Sequence, residues 1–492
     1  MAYTFLGGVR LNENKHTATC PITPIAPPNM VALSMQQHIG APCVPVVQVG
    51  DRVDVGQCIG MPPSGALGCP IHASVSGTVT KIENQLSPSG QAVPCVYIEN
   101  DLENRISPTV VPHTTSLLET SSDEMIEIVR QAGIVGMGGA SFPTYEKIRS
   151  AVGRVDTLIV NVAECEPYLT ADHRLCLERG EDVVNGVKIL MRAVDVDCAV
   201  FAVEDNKPDV IAHLEQLCDS LPYISVATLK TKYPQGDERQ LIYALKKVEL
   251  PMGKLPADAG CVIFNAGTCA AVFDVFATGM PLVRRVLTCG GEAVEHPKNL
   301  LVPIGTPYRD IIAFCGGIRI PPQSDAQKED KTPSLALELI DGGPMMGTAQ
   351  YSDAYGIKKS TGGVLVRYHN KQSEPANICI RCGKCVAHCP MHLMPNELAA
   401  SVKNNDLETA KHFDISSCVE CGTCSYVCPG QVPIVTLIKK AKEQLVQQKT
   451  RNNKKENHGQ PLHAQTPPTE GTAEKEEKQS DANTTAQGGA AK

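Results

Sequence analysis

Two hydrophobic rhythms divide the chain. Up to about residue 115, apolar and polar positions alternate in short runs such as "VVQVGDRVDVGQCIG" and "IHASVSGTVTKIEN", with Gly50-Asp51 and Ser76-Gly77 at turn positions. A period of two broken by such turns predicts strand–turn–strand units, and two facing units predict a small β-barrel or sandwich. From about 120 to 275 the period lengthens. "SSDEMIEIVRQAG" is spaced as a helix, acidic at its start and closed by Gly133. There follow "DTLIVNVAE" (strand), "RGEDVVNGVKILMRAV" (helix), "CAVFAVED" (strand), "DVIAHLEQLCDSL" (helix) and "ISVATLK" (strand). Strands alternating with helices of this length predict a doubly wound, mainly parallel sheet, whose ligands sit beyond the strand C-termini. Asn161 to Glu166 lie at such a place, just after "DTLIV".

The remainder is less regular. Residues 280–325 predict a small α+β module of two or three strands and a short helix, and 326–368 a connector. Residues 369–447 hold two cysteine runs, with "PNELAASVKNN" and "DLETAKHF" as short helices between them and "VPIVTLIKKAKEQLVQQ" as a helix after them. Beyond 448 the chain has no Leu, Ile, Val or Phe apart from Leu462, so a disordered tail is expected. The expectation is a multidomain α+β and α/β protein, because 492 residues exceed what one ordinary core organises.

Composition narrows the function. A net charge of -8, 4% aromatic residues and no Trp argue against a nucleic-acid partner, which needs a basic face and stacking surfaces. No window of about 20 residues is both uncharged and strongly apolar, so no transmembrane segment is expected. "CVIFNAGTCAAVFDVFATG" comes nearest, but Asn265 and Asp274 mark it as buried core. The N-terminus has neither a basic nor an apolar leader region, so no signal peptide is expected. Work at a membrane would then depend on a partner. Of 21 cysteines eight fall in the two runs; the others, such as Cys198, Cys261 and Cys269, are scattered in apolar contexts, and a reducing cytoplasm fits.

"CIRCGKCVAHCP" (379–390) and "CVECGTCSYVCP" (418–429) share the spacing C-x2-C-x2-C-x3-C-P. In this bacterial ferredoxin run three sulfurs reach one iron–sulfur cube, and the fourth serves the other cube when two are present. That assigns Cys379, Cys382, Cys385 and Cys428 to one [4Fe–4S] cluster, and Cys418, Cys421, Cys424 and Cys389 to the other. The competing ion is zinc, which prefers C-x2-C pairs set well apart. His388 and His392 flank the first run and are read as neighbours of the cluster rather than ligands.

"GIVGMGGASFPTYEK" (133–147) offers Gly136, Gly138 and Gly139 in a loop whose N–H groups can cradle a phosphate, and Lys147 as a fixed positive charge. A plain turn is the bland alternative. In "NVAECEP", Glu164 and Glu166 beside Asn161 suit ribose hydroxyls or a nicotinamide amide, against the alternative of a solvated strand end.

These motifs carry resemblances. The N-terminal hairpins resemble the biotinyl/lipoyl family, but "MPPSGALGCP" between them has no lysine for a covalent cofactor, so a scaffold alone is expected. The cysteine region resembles the α-helical ferredoxin domain of respiratory iron–sulfur proteins. "GIVGMGGASFPT" with its lysine, "NVAECEP", "YPQGDERQL" and "FNAGT" occur in the order seen in the NADH-oxidising flavoprotein subunit of respiratory complex I. That resemblance implies flavin mononucleotide (FMN) contacts at Gly136, Gly138, Gly139, Lys147, Asn161, Asn265 and Thr268. It implies NADH contacts at Phe142, Glu166 and Glu238, with Tyr233 and Gly236 shaping the pocket. Ser141 and Tyr145 replace glycines of that family's pattern, Ala163 replaces an acid, and Phe264 and Gly267 replace Asn and Glu. Residues 280–325 resemble the β-grasp module of the same flavoprotein.

The full order, with "FLGGVRL" at the start, resembles the C component of the Rnf ion-translocating oxidoreductase complexes. This implies a peripheral protein on the cytoplasmic face of the inner membrane, bound to the other subunits of a membrane complex. It would exchange electrons between NADH and a ferredoxin-type carrier through FMN and two [4Fe–4S] clusters. Two alternatives stay open: a soluble flavin/iron–sulfur reductase such as the cobalamin reductase of propanediol-degrading microcompartments, and a non-catalytic electron-relay or assembly module.

Overall fold

Side chains alternate across a strand, and residues 30–100 place Val31, Leu33, Ile59, Ile71, Val79 and Val96 in a buried core between two small sheets. The computed structural model describes residues 2–87, 90–319, 336–369 and 378–458. Strand β1 (Ile22–Pro24) departs to a distant sheet. Strands β2 (Met30–Ser34), β3 (Val44–Pro45), β4 (Arg52–Val53), β5 (Cys58–Met61), β6 (Ile71–His72), β7 (Gly77–Leu86) and β8 (Ala92–Asn100) follow. They form a four-stranded sheet ordered β2-β8-β7-β4 and a three-stranded one ordered β3-β5-β6.

The next region is built on helix α1 (Ser122–Gln131), helix α2 (Thr144–Ala151), β9 (Thr157–Val162), α3 (Ala171–Glu178), α4 (Gly180–Val194), β10 (Ala199–Glu204), α5 (Pro208–Cys218), β11 (Ile224–Leu229), α6 (Glu238–Lys246), β12 (Cys261–Asn265) and α7 (Ala266–Thr278). The strands are all parallel, in the order β11-β10-β9-β12. Leu158, Val160 and Val162 of β9 join a core with α4 and α7, while Ile159 and Ala163 join a second core with Leu241 and Ile242 of α6. A parallel sheet covered on both faces needs apolar residues at consecutive positions, which is why "TLIV" shows no alternation. Helices α4 and α7 approach closely: a Cβ on Gly186 would lie 1.9 Å from the Cys269 carbonyl oxygen.

The third module contains β13 (Arg284–Gly290), β14 (Lys298–Pro303), α8 (Tyr308–Phe314), β15 (Ala336–Asp341), β16 (Thr348–Ala349) and β17 (Gly363–His369). Its sheet has six strands, ordered β1-β14-β13-β17-β15-β16. The stretch expected as a connector therefore supplies three of them. The hairpin of β13 and β14 leaves two open edges; β17 pairs along one and β1 along the other, which satisfies backbone groups that an isolated hairpin would expose.

The cysteine region is a pseudo-repeat: α9 (Lys384–Ala387) and α10 (Pro395–Lys403), then α11 (Leu407–His412), α12 (Thr423–Tyr426) and α13 (Ile434–His458). Left-handed backbone falls at Arg381, Gly383 and His392 in the first run, and at the matching Glu420, Gly422 and Gln431 in the second. Each loop thus takes the same turns. The tail expected from 448 begins as a continuation of α13, and residues 459–492 lie outside the described residues. Among the described residues no helix is long and apolar enough to cross a membrane.

Overpacking the α4–α7 contact is expected to be costly. Gly186→Ala should destabilise the fold by about 1–3 kcal/mol, read as a lower urea midpoint; an unchanged midpoint would show that the helices part without cost.

Candidate functional site

The glycine loop lies between α1 and α2. The Gly136 N–H donates to the Phe142 carbonyl (2.9 Å) and Val135 bridges Pro143, so the loop closes on itself. Its base is pinned twice: the Met137 N–H donates to the Thr268 hydroxyl (3.1 Å), and the buried Arg285 donates to the Met137 carbonyl (2.6 Å). The tip, Gly138, Gly139 and Ala140, is exposed, and its three N–H groups have no protein partner among the described residues. A Cβ on Gly138 would come within 2.9 Å of Asn265 Nδ2, whereas one on Gly139 would meet nothing within 4 Å. The loop therefore needs glycine on its inner side and has free space on its outer side.

Asn161 and Asn265 are register neighbours at the C-terminal ends of β9 and β12. Asn161 Nδ2 donates to the Gly236 carbonyl (2.8 Å), and its Oδ1 accepts the Ala163 N–H (3.1 Å). Asn265 accepts the Gly267 N–H (2.8 Å), capping α7, and donates to the Asp172 carboxylate (2.6 Å). Lys147 crosses from α2 to the Glu238 carboxylate and the Ile263 carbonyl (2.9 Å). The residue expected at FMN and one expected at NADH thus form an ion pair, its side chains 26% and 42% exposed. Nearby in the chain, the fully buried Gln235 has neither amide atom paired, and the buried Thr144 hydroxyl is also unpaired.

The acidic loop is committed to the protein. Glu164 accepts the Asp172 N–H (2.8 Å) and the His173 N–H (3.2 Å), so its carboxylate caps the N-terminus of α3. Glu166 accepts the N–H groups of Met345 (3.0 Å) and Met346 (2.8 Å), from the turn between β15 and β16. A Cβ on Gly343 would lie 2.3 Å from Glu166 Oε2, so glycine lets this turn close on the acid. Burial raises the Glu166 pKa and the two N–H groups lower it again. Burial, then the Glu164 charge, raises that of Asp172.

Cys379, Cys382, Cys385 and Cys428 line one cavity of about 240 Å³. Cys389 stands with Cys418, Cys421 and Cys424: the Cys424 thiol is pushed up to about 12 by burial and then by those three neighbours, and Cys418 to about 11, chiefly by burial. Among the described residues no three His, Cys, Asp or Glu side chains converge closely enough for a single ion. Four sulfurs around a cavity suit the separate corners of a cube, whereas zinc would draw them to about 2.3 Å from one point. Crowded thiols also need a cation before they ionise, which cluster iron provides. The residues present fit both groups: an exposed nest of N–H donors for a flavin phosphate, and two rings of sulfur for iron.

The second cysteine set faces the parallel-sheet region. The buried Tyr233 hydroxyl donates to the Cys421 carbonyl (2.7 Å), and Gln240 Nε2 donates to that of Pro390 (3.3 Å). Cys379 and Cys382 of the first set are exposed beside Ile378 and Ile380, each 65% exposed.

Several residues that build this site were not singled out from sequence. Asp172 sits in "TADHR" at a helix start, and Arg285 is an inward charge in the apolar strand "LVRRVL"; both are readable signals. Lys15, whose ammonium donates to three carbonyls of the acidic loop, and the Met345–Met346 turn gave none, because their partners are remote in sequence.

Four family models match the chain in order: the "RnfC Barrel sandwich hybrid domain" over residues 3–103, the "Nuo51 FMN-binding domain" over 129–274, the "SLBB domain" over 286–349 and the "4Fe-4S dicluster domain" over 378–433. Three relatives are the C components of such complexes. The chain is 40% identical to that of the Na(+)-translocating ferredoxin:NAD(+) oxidoreductase complex of Acetobacterium woodii, over 92% of this chain and 99% of that one. It is 41% identical to that of the proton-translocating ferredoxin:NAD(+) oxidoreductase complex of Clostridium ljungdahlii, over 84% and 87%. Against that of the ion-translocating oxidoreductase complex of Rhodobacter capsulatus the identity is 36%, over 92% and 85%.

The Glu164 cap is testable alone. Glu164→Ala should destabilise the protein by about 1 kcal/mol in urea denaturation, because it leaves the first N–H groups of α3 unpaired. An unchanged midpoint would free Glu164 for a ligand instead.

Proposed function

The chain belongs to the RnfC family, the C components of the Rnf ion-translocating oxidoreductase complexes, and we propose how its residues serve that work. It is an oxidoreductase component of a membrane-associated complex that couples electron transfer between ferredoxin-type carriers and NAD(H) to ion translocation. Family membership sets aside the soluble-reductase alternative. When bound, FMN exchanges electron pairs with NADH and single electrons with the two [4Fe–4S] clusters, a conversion that neither NADH nor a cluster makes alone.

The chain's part is binding and orientation. Gly138, Gly139 and Ala140 offer their free N–H groups to the FMN phosphate, and Gly136 sets the loop's closure. Asn161 and Asn265 line the strand ends beside that loop and Thr268, in the first turn of α7, holds it at Met137, with the orphaned Gln235 amide adding unspent donors and acceptors. Lys147 supplies positive charge to the site and steadies Glu238. The half-exposed Glu238 carboxylate accepts hydrogen bonds from the dinucleotide, and Phe142 gives its ring as an apolar platform. Glu166 meets the dinucleotide by exchanging the Met345 and Met346 N–H groups for hydroxyls, while Glu164 holds the loop's shape. Gly236 positions Asn161, and Tyr233 ties this pocket to Cys421. No general acid or nucleophile is required, so none is assigned.

Cys379, Cys382, Cys385 and Cys428 hold the outer cluster, and Cys389, Cys418, Cys421 and Cys424 the inner one. The observation that supports this reading best is their placement, one set hydrogen-bonded through Tyr233 to the parallel-sheet region and the other with Cys379 and Cys382 exposed, open to a carrier. We read residues 1–115 as a barrel-sandwich scaffold, 120–275 as the doubly wound FMN/NADH domain, the sheet from 280 to 369 as a β-grasp-like module, and 369–447 as the two-cluster domain. The protein sits peripherally on the cytoplasmic side of the inner membrane, held by the other subunits.

With FMN and both clusters restored anaerobically, NADH should bleach flavin and cluster absorbance together. Persistent colour at saturating NADH would favour the non-catalytic relay. Glu238→Ala should weaken NADH binding about tenfold or more with iron content intact, as expected for a lost charge-assisted hydrogen bond. Cys428→Ala should erase the same electron paramagnetic resonance (EPR) signal as Cys379→Ala, and Cys389→Ala the other one. If Cys428→Ala and Cys418→Ala instead share a signal, each run serves its own cluster.

A further inference from the structure

Residues 2–20 contain no helix and no strand beyond isolated bridges, yet they touch both sites. Tyr3 bridges Leu229, and Val9 bridges Tyr233. The Gly8 N–H donates to the His388 carbonyl (2.9 Å). Gly7 and Gly8 have φ of +75° and +71°; a Cβ on Gly7 would lie 2.6 Å from the Cys389 carbonyl oxygen, and one on Gly8 2.5 Å from that of Tyr233. Backbone hems in both positions, so only glycine fits between the Cys389 end of the first cysteine run and the Tyr233 loop.

The other end of the segment reaches the acidic loop. Lys15 Nζ donates to the carbonyls of Glu164 (2.7 Å), Glu166 (2.9 Å) and Leu169 (2.5 Å). An ammonium has three donors, and all are spent, so Lys15 is not a free cation awaiting phosphate. The Glu13 carbonyl accepts the Tyr168 N–H (2.9 Å), and the buried Lys207 donates to the Ala163 carbonyl (2.6 Å). Four carbonyls of the loop that bears Glu164 and Glu166 are thereby gathered on two lysines, one of them delivered by the N-terminal segment.

We propose that residues 3–15 form a positioning strap across the two sites, in which Lys15 sets the acidic loop for the dinucleotide and Gly7-Gly8 seat the Cys389 end of the first cysteine run, which supplies one inner-cluster ligand, against Tyr233. Lys15 is a positioning residue, acting through the backbone of Glu164 and Glu166. The proposal rests on the reading of Glu166 and Glu238 as dinucleotide contacts.

The test uses full-length holoprotein and ADP-ribose, which binds without redox chemistry, measured by calorimetry. Lys15→Met should weaken ADP-ribose about tenfold, equivalent to one lost hydrogen bond from the mispositioned loop. It should raise the KM for NADH with kcat unchanged, at parental flavin and iron content. Parental affinity in Lys15→Met alongside weakened affinity in Glu238→Ala overturns the strap and leaves the dinucleotide reading standing; parental affinity in both variants overturns that reading. Affinity lost only in proportion to missing flavin or iron shows a merely structural lysine and also overturns the strap. Should Lys15→Met not fold, Gly8→Ala decides: NADH should bleach flavin at the parental rate while cluster bleaching slows several-fold, and an unslowed cluster phase overturns the proposal.

Discussion

Each cysteine set is completed from the other run, and this exchange is the constraint on which the arrangement depends. Cys428 lines the cavity of Cys379, Cys382 and Cys385, while Cys389 crowds Cys418, Cys421 and Cys424. Neither run can close alone, so α10 and α11 must fold back to bring the halves together. The repeated left-handed turns at Arg381, Gly383 and His392 and at Glu420, Gly422 and Gln431 follow from the same requirement. Where sulfur ligation closes a small domain, metal binding and folding become one process, and little further core is needed.

Buried cations do the corresponding work between modules. Arg285 of β13 donates to Met137 in the glycine loop and to the Thr361 carbonyl (2.9 Å). Lys359, 1% exposed, donates to Pro70 in the N-terminal sheets (2.8 Å) and to Gly133 beside the glycine loop (2.6 Å). Burial lowers the pKa of both; carbonyls satisfy their donors, and the charges of Asp172, Asp341 and Glu164 offset part of the burial cost at Arg285. The regions are thus joined by cations set on backbone oxygen as well as by a shared apolar core, in which Val31 and Ile59 of the N-terminal sheets cluster with Val129, Ile148 and Val160. A donor loop, a pair of strand-end asparagines and an inner sulfur ring can be held in register in this way.

What was legible in the sequence was whatever is written locally. The rhythm of "TLIV", "AVFAV" and "ISVAT" marked the parallel strands, and the two cysteine runs stood out by their spacing, which is a short-range property. The glycine loop was legible for the same reason. The connector was not: β15 and β17 belong to a sheet whose other strands lie on either side of the intervening helices, and pairing across that distance leaves no periodic trace. Glu164 and Glu166 showed as carboxylates near a strand end, but their partners, the α3 N-terminus and the Met345–Met346 turn, depend on tertiary approach. Lys15 was invisible because a lysine that donates only to backbone carbonyls has no motif.

The clusters' mutual distance tests the exchanged ligation most directly. In anaerobically prepared protein reduced to completion, EPR should give a spin-coupled spectrum from two neighbouring [4Fe–4S] clusters, with about eight iron atoms per chain. Two magnetically independent signals, or zinc in place of the iron, would contradict it.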